Sequence, residues 1–227
     1  MSNAAPPSHR DPVRARLERL DPFWAPQLLI GAAILLQVSL SEQVTVGPRW
    51  LLPALEAVAL LALITSSPHP RLRHSRLRRR LSLGIIGLVS AANSISLVLL
   101  CRLLVDGSKT NGRPLLGSGM VLWITNVLLF AIWYWQLDRG GPVARATESD
   151  APDFLFVQMT SPEFSRPGWL PGLIDYLYLS FTNATAFSPT DTMPLTPIAK
   201  LLMAGQSLTA LVTIGLVVAR AVNILGA

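Results

Sequence analysis

Hydroxyl, amide and carboxyl side chains gather just before the last long apolar run of the chain. The stretch Leu177–Thr196 reads LYLSFTNATAFSPTDTMPLT, and it offers oxygen atoms from Thr182, Asn183, Thr185 and Asp191. Such oxygens can replace the water that a cation loses in a narrow path, and an acid at the mouth attracts cations. The alternative is that they only close a turn, because Asn, Thr and Asp satisfy stray backbone donors.

Two further sets of polar side chains lie inside apolar runs. Gln206, Thr209 and Thr213 have the spacing i, i+3 and i+7, which puts them on one face of a helix. They either line a path or hold helices together, as small and polar residues commonly do in membranes. Glu56 is an acid within another apolar run. An acid there is costly unless paired or protonated, so Glu56 is either functional or lies near an interface with a partner.

These residues must be positioned by membrane helices. Of the 227 residues 51% are hydrophobic and 14% are charged, and five apolar runs approach the length of about 20 residues that crosses a bilayer. The runs are 23–40, 50–66, 81–105, 116–137 and 196–224. The sequence therefore predicts an all-α polytopic membrane protein with five transmembrane helices. It divides into a polar basic arm at 1–22, a four-helix membrane region at 23–137, a polar loop at 138–170 and a last unit at 171–227.

The net charge of +6 is concentrated between two of these runs. The positions are Arg71, Arg73, Arg76, Arg78, Arg79 and Arg80. A basic loop beside a span favours contact with the bilayer and its anionic lipids over nucleic acid, and it predicts that the loop at 67–80 and the N-terminus are cytoplasmic. We expect a multi-pass protein of the cell membrane, specifically a bacterial inner membrane. Because no His, Cys and carboxylate cluster and no catalytic motif lies within a run, we expect no metal, no cofactor and no enzymatic activity.

Ten residues of the Leu177–Thr196 stretch follow, without a gap, the order found in a known family. They are Leu177, Tyr178, Ser180, Phe181, Thr182, Thr185, Asp191, Pro194, Leu195 and Thr196. With the apolar run that follows, over about 172–224, they resemble the pore module of potassium channels, in which a pore helix like LYFSF and TTLT precedes the filter TVGYG, an Asp and P-L-T. The resemblance implies a re-entrant helix and loop at about 172–190, monovalent cations as the permeating species, and a homo-oligomer that is a tetramer by analogy.

The filter positions depart from that family. Ala186, Phe187, Ser188, Pro189 and Thr190 stand where the family has TVGYG. The family's glycines permit positive φ, whereas Pro189 holds φ near about −65° and has no N–H. A potassium-type ladder of carbonyls is therefore not expected from these residues. The C-terminal part also resembles an uncharacterised family of bacterial integral membrane proteins.

Three functions remain open from the sequence. One is a weakly selective cation channel with Thr182, Thr185, Ser188, Thr190 and Asp191 contacting ions. The second is a non-conducting membrane scaffold that keeps the same frame, and the third is a small proton-coupled transporter that uses Glu56. The distribution of arginines further predicts that the re-entrant loop enters from the cytoplasmic side, opposite to potassium channels.

Overall fold

The helices account for most of the chain in the computed structural model. It describes residues 25–45, 48, 50–65, 76–105, 112–147, 151–185 and 191–225. The helices are α1 (Ala25–Val38), α2 (Leu51–Thr65), α3 (Arg76–Val105), α4 (Gly112–Leu137), α5 (Pro142–Thr147), α6 (Val157–Thr160), α7 (Leu173–Thr185) and α8 (Pro197–Leu225). Single 3₁₀ turns occupy Glu42–Val44, Asp138–Gly140 and Pro162–Phe164, and the two strands are β1 (Phe154–Leu155) and β2 (Met193–Pro194). The arm at 1–22, Arg71, Arg73 and the filter positions 186–190 lie outside the described residues.

Three of the described helices are long and apolar enough to cross a membrane. Their spans are Arg79–Leu104, Pro114–Gly140 and Pro197–Val222. At about 1.5 Å per residue each is close to 40 Å long, which exceeds a hydrocarbon core of about 30 Å. The predicted all-α class is confirmed, and three of the five predicted runs form helices able to cross a membrane. The count of five transmembrane helices stays a prediction. The first two predicted runs form apolar helices of 14 and 15 residues, about 21–22 Å long.

Helix α4 is the centre of the bundle, in contact with α1, α3, α7 and α8. A first hydrophobic cluster joins α1, α3 and α4 through Ile30, Ala33, Ile34, Ile85, Ile86, Val89, Leu129 and Ile132. A second cluster joins the last turns of α4 to the 154–156 segment, α7 and α8 through Tyr134, Trp135, Phe154, Phe156, Leu173, Tyr176, Leu179 and Ala199. A third lies toward the other end of α4 and comprises Leu40, Val44, Leu100, Leu115 and Leu122.

Helix α7 runs antiparallel to α4, beginning near the end of α4. The Tyr176 hydroxyl donates to Asp138, just after α4, and one helical turn later the Ser180 hydroxyl donates to the Val127 carbonyl at 2.7 Å. Ala184, near the end of α7, packs against Val127. Since Tyr176 and Ala184 are eight residues apart, α7 advances about 12 Å along α4 between these contacts.

Helix α8 runs in the same direction as α7. Its first turn contributes Ala199 to the second cluster, Ala210 packs against Val127, and Val217 lies beside Gly119. Strand β2, just before α8, pairs antiparallel with β1, with Phe154 opposite Pro194. The chain after α7, from β2 to the first turn of α8, therefore lies again at the C-terminal end of α4, where α7 began.

The close approach of α8 to α4 depends on Gly119. A Cβ atom at this position would overlap the Cγ2 atom of Val217. We expect Gly119→Ala to destabilise the bundle by about 1–3 kcal/mol, the usual cost of overpacking. The measurement is thermal unfolding in mild detergent, followed by tryptophan fluorescence.

A matched substitution is available two residues earlier. A Cβ at Gly117 would meet nothing within 4 Å, so Gly117→Ala should have little effect. Adding Val217→Ala should restore much of the stability of Gly119→Ala, because it removes the overlapping methyl group. An equal loss from both glycine substitutions would contradict the packing of α4 against α8.

Candidate functional site

A network of amides and hydroxyls joins α4, α7 and α8. We call it the amide network; its members are Tyr134, Ser180, Asn183, Gln206 and Ser207. The Oε1 atom of Gln206 accepts hydrogen bonds from the Tyr134 hydroxyl at 2.5 Å and from Asn183 Nδ2 at 2.8 Å. Its Nε2 atom donates to the Ser180 carbonyl at 2.9 Å and to the Ser180 hydroxyl at 2.7 Å.

Asn183 completes the amide network. Its Nδ2 atom also donates to the Met203 carbonyl of α8 at 3.0 Å, and its Oδ1 atom accepts from the Ser207 hydroxyl at 3.0 Å. Gln206 is fully buried. A buried polar network in which the members satisfy one another rigidifies and orients the elements that carry them. Asn183 and Gln206 therefore hold α7 against α8 and α4 in this structure.

Four of the five predicted threonines donate their hydroxyl protons within their own helices, and the fifth, Thr190, lies outside the described residues. Thr182 donates to the carbonyls of Tyr178 and Leu179, and Thr185 donates to the Thr182 carbonyl. Thr209 and Thr213 likewise donate to carbonyls four residues earlier, at 2.8 and 2.7 Å. A hydroxyl whose proton is committed to the helix presents only lone pairs to other neighbours. Each of these oxygens is therefore an acceptor toward its surroundings.

The surroundings of the predicted residues differ. Gln206 and Thr213 are buried within the chain itself, whereas Thr182, Thr185 and Thr209 are partly exposed and Asp191 is exposed. The structure brings Asn183 and Gln206 together at one point. It describes nothing of Ala186, Phe187, Ser188, Pro189 and Thr190, so the roles predicted for these residues stay predictions.

A second polar cluster lies where α4 ends, and the sequence analysis did not select it. We call it the Asp138 cluster; its members are Asp138, Arg145, Asp153, Tyr176 and Thr196. The buried Asp138 carboxylate accepts from the Asp153 backbone N–H at 2.8 Å and from the Tyr176 hydroxyl at 2.5 Å. Arg145 Nη1 lies 3.9 Å from Asp138 Oδ2 and donates to the Trp135 carbonyl at 2.9 Å, and its guanidinium stacks over the Tyr176 ring.

The protonation of Tyr176 follows from its burial. Burial raises the pKa of the Tyr176 hydroxyl well above its ordinary value. The nearby Asp138 carboxylate acts in the same direction, while Arg145 opposes it. Tyr176 therefore keeps its proton at neutral pH and acts as a hydrogen-bond donor to Asp138.

Asp153 connects the Asp138 cluster to the start of α8. Its carboxylate accepts from the Arg139 backbone N–H at 2.9 Å and from the Thr196 hydroxyl at 2.7 Å. The Thr196 oxygen in turn accepts from the Ala199 N–H at 3.3 Å, which makes Thr196 the N-cap of α8. The relative positions of α4, α7 and the first turn of α8 are thus set by two carboxylates that lie fifteen residues apart in the chain.

Glu56, Arg79 and Arg80 are members of neither network. Glu56 is completely buried in α2. Arg79 and Arg80 are exposed near the start of α3. Ser82, in the next turn of α3, accepts a hydrogen bond from Gln136 at the end of α4. The arginine-rich end of α3 and the Asp138 cluster therefore lie at the same end of the bundle.

Comparison with family models, with curated proteins and with solved structures finds no match to this chain. The fold defines its class: the chain is all-α, and three helices within its described residues are long and apolar enough to cross a membrane. The similarity to potassium-channel pore modules remains a prediction from the residues Leu177–Thr196.

The Asp138 cluster predicts the effect of removing a single hydroxyl. Tyr176→Phe removes the shortest hydrogen bond to the buried Asp138 carboxylate. Hydrogen bonds to charged groups contribute about 1.5–3 kcal/mol to stability. We expect a loss of stability of this size in thermal unfolding. The matched control is Tyr178→Phe, since Tyr178 is 60% exposed on the same helix. Equal stability of the two variants would contradict a structural role for the Asp138 cluster.

Proposed function

We propose that the chain is a pore-forming subunit of a weakly selective cation channel. In this proposal α7, the segment after it and α8 surround the ion path of a homo-oligomer. One observation carries the proposal. Helix α7 starts at the Asp138 end of α4 and finishes against Val127, the middle residue of the span Pro114–Gly140, and the chain then resumes at the Asp138 end. A helix that advances halfway along a span and returns supports a re-entrant loop.

The membrane gives this geometry its functional meaning. Backbone that is not helical is stable at membrane depth only where protein buries it or where it borders a watery cavity. The end of α7 lies at the level of Val127, in the interior of the proposed membrane region, and this depth supports the proposal. The apolar helices α1 and α2, which pack against each other and against α4 and α3 respectively, complete five membrane helices in this proposal.

The chemistry of the proposed path is that of oxygen ligands. Thr182 and Thr185 offer lone pairs because their protons are used within α7, and Asp191 offers an exposed carboxylate where the chain resumes. The amide network keeps α7 in place, which an ion path requires. The absence of glycine at 186–190 argues for weak selectivity among monovalent cations.

We also propose an orientation. The exposed Arg79 and Arg80 and the Asp138 cluster share one end of the bundle, and Ala25 at the start of α1 packs against the second hydrophobic cluster at that end. The positive-inside tendency favours placing this end in the cytoplasm, next to anionic lipids. The loop would then enter from the cytoplasmic side of a cell membrane.

A non-conducting scaffold is the second candidate function. It is favoured by the burial of Gln206 and Thr213, which the sequence analysis selected as possible linings of a path. Both side chains contact the protein itself, and the amide network is satisfied without an ion. A scaffold needs the same arrangement of helices. This function predicts a stable, folded protein that conducts no ions.

Ion flux separates the two functions. We expect liposomes that contain the purified protein to pass both sodium and potassium. Asp191→Asn should lower the flux about fivefold, since unit charges about 4 Å apart in water interact by about 1 kcal/mol. The matched control is Glu163→Gln, because Glu163 is an exposed acid in a different segment and its neutralisation should leave the flux unchanged. A folded wild type that passes neither ion would support the scaffold.

The oligomeric state provides a second measurement. One chain of 24.6 kDa cannot enclose a central path with α7 and α8, so we expect native mass spectrometry in mild detergent to give a multiple of that mass. Four copies are expected by analogy with potassium channels. A stable monomer that retains the thermal stability of the membrane-extracted protein would contradict the channel.

A further inference from the structure

A layer of buried polar side chains crosses the bundle of α1 to α4, apart from α7 and α8. We call it the polar layer; its members are Gln37, Glu56, Asn93, Thr125 and Asn126. On α1, Gln37 lies between Ile34 of the first hydrophobic cluster and Leu40 of the third. The same holds on α3, where Asn93 lies between Val89 and Leu100.

The other two helices bring their polar residues to the same level. On α4, Thr125 and Asn126 lie between Leu129 of the first cluster and Leu122 of the third. On α2, Leu60 packs against the first cluster and beside Gly31 of α1, so Glu56, one turn earlier, lies toward the third cluster. The Gln37 side chain is close enough to the Glu56 carboxylate to interact with it. Four helices therefore place polar groups in one layer between two hydrophobic clusters.

The polar layer is buried, and part of its hydrogen-bonding capacity is unused. The side chains of its five members are at most 5% exposed, and Glu56 is at 0%. Among the described residues, six of their atoms have no hydrogen-bond partner: Gln37 Nε2, Glu56 Oε1, Glu56 Oε2, Asn93 Oδ1, Thr125 Oγ1 and Asn126 Nδ2. This contrasts with the amide network, in which the carboxamides of Asn183 and Gln206 bond to each other and to their neighbours. Buried polar atoms without partners are costly, and a buried carboxylate most of all.

The composition of the polar layer indicates the charge of a ligand that would satisfy it. Four of the six atoms are oxygens, and the amides of Gln37 and Asn126 can present oxygen as well after a half-turn of the amide group. Oxygen ligands of these kinds suit hard cations. Because Glu56 is the one carboxylate in the layer, a single positive charge neutralises it, whereas a divalent ion would leave a net charge buried.

A cavity at one end of the bundle lies close to the polar layer, on the far side of Leu40 and Leu122 of the third hydrophobic cluster. The cavity, of about 600 Å³, opens between the start of α4 and the segment after α1, and its lining includes Leu40, Glu42 and Val121. Leu40 is three residues after Gln37, just beyond the end of α1, and Val121 is one helical turn before Thr125. Glu42 gives the cavity an acidic group, which favours cations over anions.

We propose that the polar layer is a binding site for one sodium ion, held by the Glu56 carboxylate together with side-chain oxygens of Asn93 and Thr125. The site uses α1 to α4 and none of the residues assigned to the ion path. It therefore does not depend on whether the protein conducts, and its occupancy would stabilise the bundle around α4.

The test is the thermal stability of the full chain in mild detergent as sodium chloride replaces choline chloride at constant ionic strength. We expect the unfolding temperature to rise with the logarithm of the sodium concentration once the site begins to fill. Potassium should have a clearly smaller effect, and Glu56→Gln should abolish the dependence. Stabilisation that is equal in sodium, potassium and choline, or that persists in Glu56→Gln, would overturn the proposal.

Two variants at neighbouring positions control for a general loss of folding. Asn93→Ala should move the dependence to higher sodium concentrations, while Ser94→Ala, at an exposed position next in sequence, should leave it unchanged. Equal behaviour of the two would count against the site. Direct binding of radioactive sodium to the wild type should saturate near one ion per chain and be displaced by unlabelled sodium but not by choline. Absence of such binding would overturn the proposal whatever the liposome flux shows.

Discussion

The arrangement of the C-terminal half depends on the side-chain amide of Gln206. In an apolar interior each amide hydrogen and oxygen needs a partner, and Gln206 finds them on two other helices, at Tyr134 of α4 and at Ser180 and Asn183 of α7. This requirement sets both the depth and the rotation of α7 between its longer neighbours. Apolar packing alone would tolerate sliding or rotation of so short a helix, because Leu, Val and Ala contacts are not directional.

The Asp138 cluster fixes the other end of the same unit. Arg139 has φ of 50°, and Gly140 and Gly141 also have positive φ, so the chain turns sharply after α4 and brings Arg145 back over it. At Gly141 a Cβ would lie 3.0 Å from the Gln136 carbonyl, which explains why glycine is needed at this turn. Asp153 then aligns Thr196 at the start of α8. The two networks hold both ends of α7, so the helix is a rigid support for whatever follows it.

The polar groups of the bundle fall into two kinds. In the amide network and the Asp138 cluster, donors meet acceptors within the chain, which is what a structural role requires. In the polar layer, a carboxylate, three carboxamides and a hydroxyl from four helices have atoms left unpaired among the described residues. The completeness of hydrogen-bond pairing is therefore the physical difference between these two networks and the polar layer.

The sequence by itself determined the helices of this protein. The predicted runs 50–66, 116–137 and 196–224 correspond closely to Leu51–Thr65, Gly112–Leu137 and Pro197–Leu225, because an uninterrupted apolar run in a membrane satisfies its backbone only as a helix. This is a local property and can be read from neighbouring residues. Only the tertiary structure decided that Gln206 meets Ser180 and Asn183, that Asp138 meets Asp153 and Tyr176, and that Glu56 shares a layer with Asn93. These pairings depend on how far each helix slides and turns against another, and hydrophobic periodicity leaves that undetermined because many registers bury similar apolar surface.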